Sequence, residues 1–241
     1  MQAMILAAGL GTRLRPLTND KPKALVEVGD MSLLEITIRR LIKYGFDDII
    51  INVHHFADQI LQLLKMKDNF GIRISISDER GQILETGGGL KKARPFFKNE
   101  PFLLCNTDVI TNIDFKKIYD THLSNGGLAT LATRQRSTSR YLIFDEEHIL
   151  HGWANVTTGD VKMSRVKKGH LSLRAFSGIH VLSPKIFDLM TQEGKFSIIE
   201  VYLKAAEDQL IFSYEHDEDI WIDVGKKENL DAAQNLAHLV L

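Results

Sequence analysis

A short basic loop near the N-terminus carries the residues best suited to chemistry. The apolar residues 3–8 open into a turn that contains Gly9 and Gly11, and Arg13 and Lys23 follow. Glycines let a backbone bend tightly and bring its N–H groups close to a bound anion. Arg13 and Lys23 can neutralise phosphate charge. This combination predicts a loop that holds a nucleoside triphosphate.

Two common phosphate-binding motifs do not match this loop. A dinucleotide-binding fingerprint needs a third glycine where the chain has Leu14, and Pro16 follows soon after. A Walker A loop ends in Gly-Lys-Ser or Gly-Lys-Thr, and this loop lacks that ending. An ordinary strand-to-helix turn that happens to be basic is the structural alternative.

Two aspartates stand at the ends of short apolar runs. Asp108 comes just after the apolar residues 102–105, and Asp223 follows Trp221 and Ile222. Ligands of doubly wound sheets collect at the carboxyl ends of the strands. Asp108 is therefore placed to hold a divalent cation beside phosphates, because Mg²⁺ prefers a few carboxylates plus phosphate oxygens. A turn or helix-cap role is the alternative for Asp108, since Asn112 and Asp114 are close by.

Three consecutive glycines, Gly87, Gly88 and Gly89, fall at a predicted helix start. Each costs a helix on the order of 1 kcal/mol against alanine. This cost favours a backbone that a ligand approaches closely. Tight packing of the helix on the sheet is the alternative explanation.

The elements that must position these residues alternate along the chain. Ser32 and Gly45 bound a predicted helix through capping-box spacing and a glycine stop, and Pro184 suits a helix start. The other predicted helices are residues 57–64, 114–123, 198–206 and 226–241. The predicted strands are residues 3–8, 48–53, 71–77, 102–105, 128–133, 141–144, 149–153, 179–182 and 209–213, with a polar loop or edge excursion at 155–170.

This alternation predicts an α/β fold, a Rossmann-like doubly wound sheet that is mostly parallel, with antiparallel additions in the C-terminal half. The chain of 241 residues suits a single domain. Residues 1–127 would form the nucleotide-binding half and residues 128–241 the half that covers an acceptor substrate.

The composition of the chain limits the kinds of binding partner and the cellular compartment that we expect. The net charge of −1 implies no bulk attraction to nucleic acid or to a membrane. One cysteine suits a reducing compartment, and the first apolar run is too short to span a bilayer. We therefore expect a cytoplasmic protein.

The loop motif resembles the signature of the sugar-1-phosphate nucleotidyltransferases. The matching residues are Gly9-Leu10-Gly11-Thr12-Arg13, Pro16, Thr18 and Pro22-Lys23. The segment Trp221-Ile222-Asp223-Val224-Gly225 resembles a second family element, whose aspartate is the partner metal ligand. The resemblance implies that one Mg²⁺ is held by Asp108 and Asp223. It also implies transfer of a nucleotidyl group from a nucleoside triphosphate to a sugar 1-phosphate, with release of pyrophosphate.

The resemblance further implies a set of site residues. Arg13, Lys23 and Asp108 would be catalytic. Thr86 would hydrogen-bond the base with Glu79 nearby, and Ser177 and Gly178 would border the sugar. The nucleotide-binding set is Leu6, Ala7, Ala8, Gly9, Gly11, Thr12, Arg13, Lys23, Glu79, Thr86 and Gly87.

Within the family, the chain is most similar to the N-acetylmuramate 1-phosphate uridylyltransferases, which recycle cell-wall sugars. The residues that carry this likeness are the run Leu84-Glu85-Thr86-Gly87-Gly88-Gly89 and the segment Phe176-Ser177-Gly178-Ile179. Asn106 and Thr107 stand before Asp108 where the family usually has glycine. The chain lacks the Glu-Lys-Pro segment of the glucose-1-phosphate thymidylyltransferases. The alternatives are a mannose- or heptose-1-phosphate guanylyltransferase, a phosphocholine cytidylyltransferase, or an inactive nucleotide-sensing regulatory paralogue.

Overall fold

The alternating pattern folds into one large sheet with helices on both faces. The computed structural model describes residues 1–166, 169–225 and 227–236. The strands are β1 Gln2–Leu6, β2 Glu27–Val28, β3 Met31–Ser32, β4 Asp48–Val53, β5 Arg73–Asp78, β6 Phe102–Asn106, β7 Val109–Thr111, β8 Ala129–Arg134, β9 Arg140–Asp145, β10 Leu150–Asn155, β11 Asp160–Met163, β12 Leu171–Leu182, β13 Ile211–Glu215 and β14 Trp221–Asp223. The α-helices are α1 Leu33–Lys43, α2 Ala57–Met66, α3 Glu85–Ala93, α4 Phe115–Asn125, α5 Ile198–Ala205 and α6 Leu230–Leu236.

The N-terminal half builds the parallel part of the sheet. Strands β5, β4, β1 and β6 lie side by side in that order, and each neighbouring pair is parallel. Met4 of β1 lies level with Ile50 and Leu104 on its two neighbours. The central strands β1, β4 and β6 are mostly apolar because helices cover both faces of the sheet, whereas the edge strand β5 alternates isoleucine with polar residues.

The long strand β12 joins the two halves of the sheet. Its last residues pair antiparallel with β6 on one side and β8 on the other, and its first residues pair antiparallel with β9. The sheet therefore branches at β12. One arm continues through β9, β10 and β11, and the other through β8 and β13, which are parallel to each other.

Two apolar cores fill the two faces of the sheet. Ala3 and Ile5 of β1 point into one core, together with apolar residues of α1, α2 and α4. Met4, between them, points into the other core with residues of α3 and α5. Side chains alternate along a strand, so three consecutive residues divide between the two cores. The structure confirms the predicted doubly wound α/β fold.

The start of α1 follows the predicted capping signal, and α4 begins in the same way. The Ser32 hydroxyl accepts the Glu35 amide at 3.2 Å at the start of α1, and Asp114 accepts the Lys117 amide at 2.9 Å at the start of α4. A hydroxyl or carboxylate at this position satisfies an amide that has no partner within the helix. Gly45 ends the α1 segment with a φ of 82°, as its type predicts.

Several boundaries differ from the sequence prediction; the largest shift is in β12, which begins at Leu171 rather than at residue 179. Strand β1 ends at Leu6 rather than at residue 8, because the Ala7 amide donates to the Asn52 side chain instead of to a neighbouring strand. The polar stretch 155–170 contains the edge strand β11, so the edge-excursion alternative holds there. The predicted closing helix begins with a 3-10 turn at Lys227–Asn229 and continues as α6. Residues 226 and 237–241 lie outside the described residues.

In the described ranges, no helix combines the length and the apolarity needed to span a lipid bilayer.

Candidate active site

The carboxyl ends of three parallel strands meet at one edge of the sheet. Leu6 ends the regular part of β1 and pairs with Asn52 in β4 and Asn106 in β6. The Asn52 Oδ1 accepts the Ala7 amide at 2.7 Å, and the Thr107 hydroxyl donates to the Leu6 carbonyl at 2.9 Å. The basic loop that follows β1 therefore leaves the sheet where ligands of doubly wound folds bind.

The basic loop is anchored at Gly11 and Leu14. Gly11 has a φ of +64°, and a Cβ added to it would lie 2.9 Å from the Lys23 Cβ. The Thr18 hydroxyl donates to the Gly11 carbonyl at 2.9 Å. Leu14 is fully buried in a small third core with Val224. Only glycine satisfies both the backbone angle and the close approach of Lys23.

A two-stranded sheet brings the two predicted metal aspartates to the same place. Strand β14 pairs antiparallel with β7, and Asp223 lies opposite Val109. The Val224 amide donates to the Asp108 carbonyl at 2.8 Å. Asp108 lies in the turn directly before Val109, the first residue of β7, so the two aspartates lie at the same end of this strand pair although they are distant in the chain.

Four charged side chains converge beside Gly225. A Cβ added to Gly225 would lie 2.6 Å from Oδ1 of Asp223, 2.8 Å from Nη2 of Arg13 and 2.9 Å from Nζ of Lys23. Lys23 also forms an ion pair with Asp108, and both side chains are largely buried. The missing side chain of Gly225 thus leaves the space in which these groups meet. We call Arg13, Lys23, Asp108 and Asp223 the charged cluster.

The donor set of the charged cluster fits Mg²⁺. Asp108, from the turn before β7, and Asp223, at the end of β14, supply hard carboxylate oxygens. Mg²⁺ is typically held by one or two carboxylates together with substrate phosphates. No group of three or more His, Cys, Asp or Glu residues that could hold a metal ion occurs among residues 1–166, 169–225 and 227–236. A magnesium ion here would therefore take its remaining oxygens from phosphate and water.

A cavity of about 430 Å³ opens next to the charged cluster. It is lined by residues from the loop after β1, from the ends of β4, β5 and β6, from the start of α3, and from the C-terminal half. Eight of the predicted site residues line it: Leu6, Ala7, Ala8, Gly9, Lys23, Glu79, Thr86 and Asp108. The sequence prediction did not include its other lining residues, Asn52, Ile83, Glu85, Asn106, Thr107, Arg140 and Ser197.

Glu79 lines the cavity and is held in place by hydrogen bonds to other protein groups. Its Oε1 accepts from the Asn52 amide nitrogen at 2.7 Å, and its Oε2 accepts from the Leu84 amide at 3.4 Å. The residue is fully buried, and burial raises the pKa of its carboxyl group. Because Asn52 also holds the Ala7 amide, Glu79 supports the loop after β1 through Asn52.

The three glycines of α3 are explained by packing, which corrects the predicted close approach of a ligand. A Cβ on Gly87 or Gly88 would overlap the Phe196 ring or the Gly194 carbonyl oxygen, and one on Gly89 would lie 2.7 Å from Oε1 of Glu79. The Gly87 amide donates to the Phe196 carbonyl at 2.9 Å, and Gly87 itself is buried. Protein atoms, not an open cavity, occupy the space that these glycines leave.

Thr86 stands at the cavity wall. Its hydroxyl accepts the Ile198 amide at 3.0 Å, which joins the first turn of α3 to the start of α5. A hydroxyl that accepts one hydrogen bond can still donate its own proton. Its predicted contact with a base thus remains geometrically open.

Ser177 and Gly178 lie behind the cavity wall. The buried Ser177 hydroxyl is 2.7 Å from Nε2 of His216, and its carbonyl accepts from the Trp221 indole at 3.0 Å. A Cβ on Gly178 would lie 2.6 Å from the Asn106 side-chain nitrogen. Burial is the main cause that lowers the pKa of His216 to about 4. The pair therefore positions Asn106 and the strand that carries Asp223, and direct sugar contact stays a prediction.

One arginine that the sequence analysis did not select lies behind Asp223. Arg136 stacks on the Trp221 ring at 4.5 Å from the ring centroid and donates to the Phe176 carbonyl at 3.1 Å. Burial lowers its pKa, and attraction to Asp223 opposes that shift. The only signal in the sequence is the unusual density of arginine at positions 134, 136 and 140.

The doubly wound α/β sheet with a basic, glycine-containing loop at its carboxyl edge places the chain in a fold class whose members commonly bind nucleotides at that edge. Comparison with known proteins identifies the family within this fold class. The model of the nucleotidyl transferase family matches residues 2–238. The chain belongs to this family and is a sugar-1-phosphate nucleotidyltransferase.

Relatives agree with this assignment along almost the whole chain. The chain is 34% identical to the N-acetylmuramate alpha-1-phosphate uridylyltransferase of Caulobacter vibrioides, covering 96% of this chain and 95% of the relative. It is 32% identical to the enzyme of the same name from Neisseria meningitidis, covering 98% of each. It is also 32% identical to the mannose-1-phosphate guanyltransferase of Saccharomyces cerevisiae, but covers only 62% of that protein.

A solved structure shows the same fold. HddC from Yersinia pseudotuberculosis, determined in complex with GMP-PN, superposes with a TM-score of 0.77 at 22% identity, covering 97% of this chain and 98% of HddC.

Proposed function

We propose that the protein transfers the uridylyl group of UTP to N-acetylmuramate 1-phosphate, in a reaction that depends on Mg²⁺. The observation that carries this choice is the likeness to two N-acetylmuramate alpha-1-phosphate uridylyltransferases over nearly their full lengths. The product, UDP-N-acetylmuramate, would place the enzyme in the recycling of cell-wall sugars.

The reaction is a single in-line displacement. An oxygen of the sugar phosphate attacks the α-phosphorus of UTP, the bond from that phosphorus to the bridging β-phosphate oxygen breaks, and pyrophosphate leaves. The attacking oxygen is already anionic, so the step needs no general base. The main barrier is electrostatic, because two polyanions must approach each other.

The residues of the charged cluster are suited to reduce this electrostatic barrier. Lys23 and Arg13 lie beside the aspartates at the strand ends and supply fixed positive charge for the phosphates. Asp108 and Asp223 would hold the Mg²⁺, which when bound supplies further positive charge to the phosphate oxygens. The buried core around Leu14 and Val224 holds these groups in place before substrate arrives.

Pyrophosphate release tests the proposal. The purified protein is assayed with Mg²⁺ and each of UTP, dTTP, GTP and CTP. Each nucleotide is crossed with the 1-phosphates of N-acetylmuramate, N-acetylglucosamine, glucose and mannose, and with phosphocholine. The expected result is turnover with UTP and N-acetylmuramate 1-phosphate and loss of turnover on removal of the metal. Preference for another pair would contradict the proposed substrates and leave the family assignment intact.

Transfer of a guanylyl group to mannose 1-phosphate is the second candidate. The identity to the yeast guanyltransferase favours it, although that relative is longer than this chain. Turnover with GTP and mannose 1-phosphate in the same assay would select it. An inactive regulatory protein is disfavoured, because Arg13, Lys23, Asp108 and Asp223 are all retained and converge.

A further inference from the structure

Arg140 brings a positive charge into the cavity from the C-terminal half of the chain. It is the first residue of β9 and lies opposite Asn155 of β10. Its guanidinium-bearing side chain lines the same cavity as Lys23 and Asp108. Strand pairing fixes the position of its backbone, so the side chain extends from a defined point on the wall.

The other charged residues that line the cavity already have protein partners. Lys23 pairs with Asp108. Glu85 lies 3.3 Å from Nζ of Lys195, and the carboxylate of Glu79 accepts hydrogen bonds from Asn52 and Leu84. Within the described ranges, Arg140 has no ion pair and no side-chain hydrogen bond. Among the described residues that line the cavity, Arg140 is therefore the cation without a protein partner.

The neighbouring arginines are occupied and cannot take the same role. Arg134 donates to the carbonyls of Asp219 and Asp217. Arg136 is held between the Trp221 ring and the Phe176 carbonyl. Arg140 differs from both because its guanidinium is exposed and free to meet a ligand.

We infer that Arg140 binds the carboxylate of an acidic acceptor sugar and thereby selects that acceptor over its neutral counterpart. This inference rests on the proposed function. N-acetylmuramate 1-phosphate carries two acidic groups, a phosphate and the carboxylate of its lactyl ether. The phosphate must reach the α-phosphorus beside the charged cluster, which leaves the carboxylate to be matched elsewhere. A guanidinium fork binds a carboxylate through two parallel hydrogen bonds, and few other side chains fit it as well.

A matched pair of acceptors isolates this contact. N-acetylglucosamine 1-phosphate differs from N-acetylmuramate 1-phosphate only by lacking the lactyl ether. The variants are Arg140→Met and Arg140→Lys, with Arg94→Met as the control because Arg94 is an exposed arginine that pairs with Asp188 away from the cavity. The value of kcat/KM is measured for both acceptors with saturating UTP.

Arg140→Met is expected to lower kcat/KM for N-acetylmuramate 1-phosphate by about 10- to 100-fold, the range for loss of a charged hydrogen bond. The loss should appear as a higher KM with an unchanged kcat, because the contact is the same in the ground state and the transition state. Turnover of N-acetylglucosamine 1-phosphate should stay within about twofold of wild type, within the range of a surface substitution. Arg140→Lys should recover part of the preference, and Arg94→Met should change neither acceptor.

Two results would overturn the inference while leaving the proposed function standing. One is an unchanged ratio of kcat/KM between the two acceptors in Arg140→Met. The other is an equal loss of kcat/KM for both acceptors, which would mean that Arg140 contacts a group that both acceptors have. If instead the wild-type enzyme has an equal or higher kcat/KM for the neutral acceptor than for the acidic one, the proposed function fails. The inference then fails with it.

Discussion

Asp223 lies opposite Val109, the residue that directly follows Asp108, so two aspartates from distant parts of the chain lie at the same end of a pair of short strands. The Val224 amide donates to the Asp108 carbonyl at 2.8 Å, and this bond fixes the spacing of the two residues. The pairing of β7 with β14 is therefore the structural step that assembles the charged cluster. Neither strand belongs to the main sheet, and each is only three residues long.

Replacing either aspartate of this pair should remove most of the activity. Asp108→Asn and Asp223→Asn keep the shape of the side chain but remove a negative charge that would hold the metal. We expect kcat to fall by about 10²–10³, the usual effect of losing one electrostatic stabiliser. Steady-state pyrophosphate release measures it. Asp160→Asn, on the exposed edge strand β11, is the control and should keep wild-type kcat.

Adding one carbon to Gly225 should disturb the cluster without removing any charge. The new Cβ of Gly225→Ala would lie within 2.9 Å of Asp223, Arg13 and Lys23, so these side chains must move apart. We expect a loss of kcat of at least about tenfold, since small misplacements of catalytic groups are costly. Gly81→Ala is the matched control, because a Cβ there has nothing within 4 Å. Equal activity of the two variants would count against this role.

Gly88 should matter for stability rather than for chemistry. Gly88→Ala places a Cβ against the Gly194 carbonyl oxygen, which is backbone and cannot rotate away. We expect a loss of about 1–3 kcal/mol in the free energy of unfolding, as for other overpacked sites. This loss outweighs the gain in helix propensity of about 1 kcal/mol. Urea denaturation measures it, and a variant as stable as wild type would refute the packing explanation.

The protein should lose stability as the pH falls from 7 toward 5. Burial lowers the pKa of His122 to about 4, of His180 to about 3 and of His216 to about 4. The unfolded chain binds these protons near its ordinary pKa of about 6.5, so acid favours unfolding. Each histidine adds up to about 1.4 kcal/mol per pH unit to the slope of the free energy of unfolding against pH.

A single substitution tests the acid effect. His122 accepts or donates a hydrogen bond with the Thr130 hydroxyl at 3.0 Å, and His122→Gln keeps a polar group there without a titratable proton. The free energy of unfolding is measured by urea denaturation at pH 7, 6 and 5. Its dependence on pH should be shallower in the variant than in wild type by about the amount that one proton contributes. A slope equal to that of wild type would show that His122 does not contribute.

The sequence predicted the fold class and the main strands because their patterns are local. The run Ile49-Ile50-Ile51 placed β4 with the bounds that the structure has, and Ser32 and Gly45 marked the ends of the α1 segment. The end of β1 was wrong by two residues. That end depends on a hydrogen bond between the Ala7 amide and Asn52, which lies on another strand.

The site was harder to predict where it depends on what faces a residue across the fold. The motif identified Arg13, Lys23, Asp108 and Asp223, but not that Gly225 is the point at which three of them meet. The glycines of α3 were assigned to a ligand because a sequence does not show that Phe196 and Gly194 fill the space beside them. Arg140 had no signal beyond the density of arginine at positions 134, 136 and 140, and an exposed arginine at a strand start is common.

The branching of the sheet at β12 has a consequence for how acceptor choice can change. The β9–β11 arm carries Arg140 and pairs with the first residues of β12. The last residues of β12 pair with β6, whose far end leads to Asp108. If Arg140 selects the acceptor as inferred above, an exchange of this arm between family members would replace one wall of the cavity and leave β1, β6 and the charged cluster in place. Acceptor choice could then be altered without changing the charged cluster.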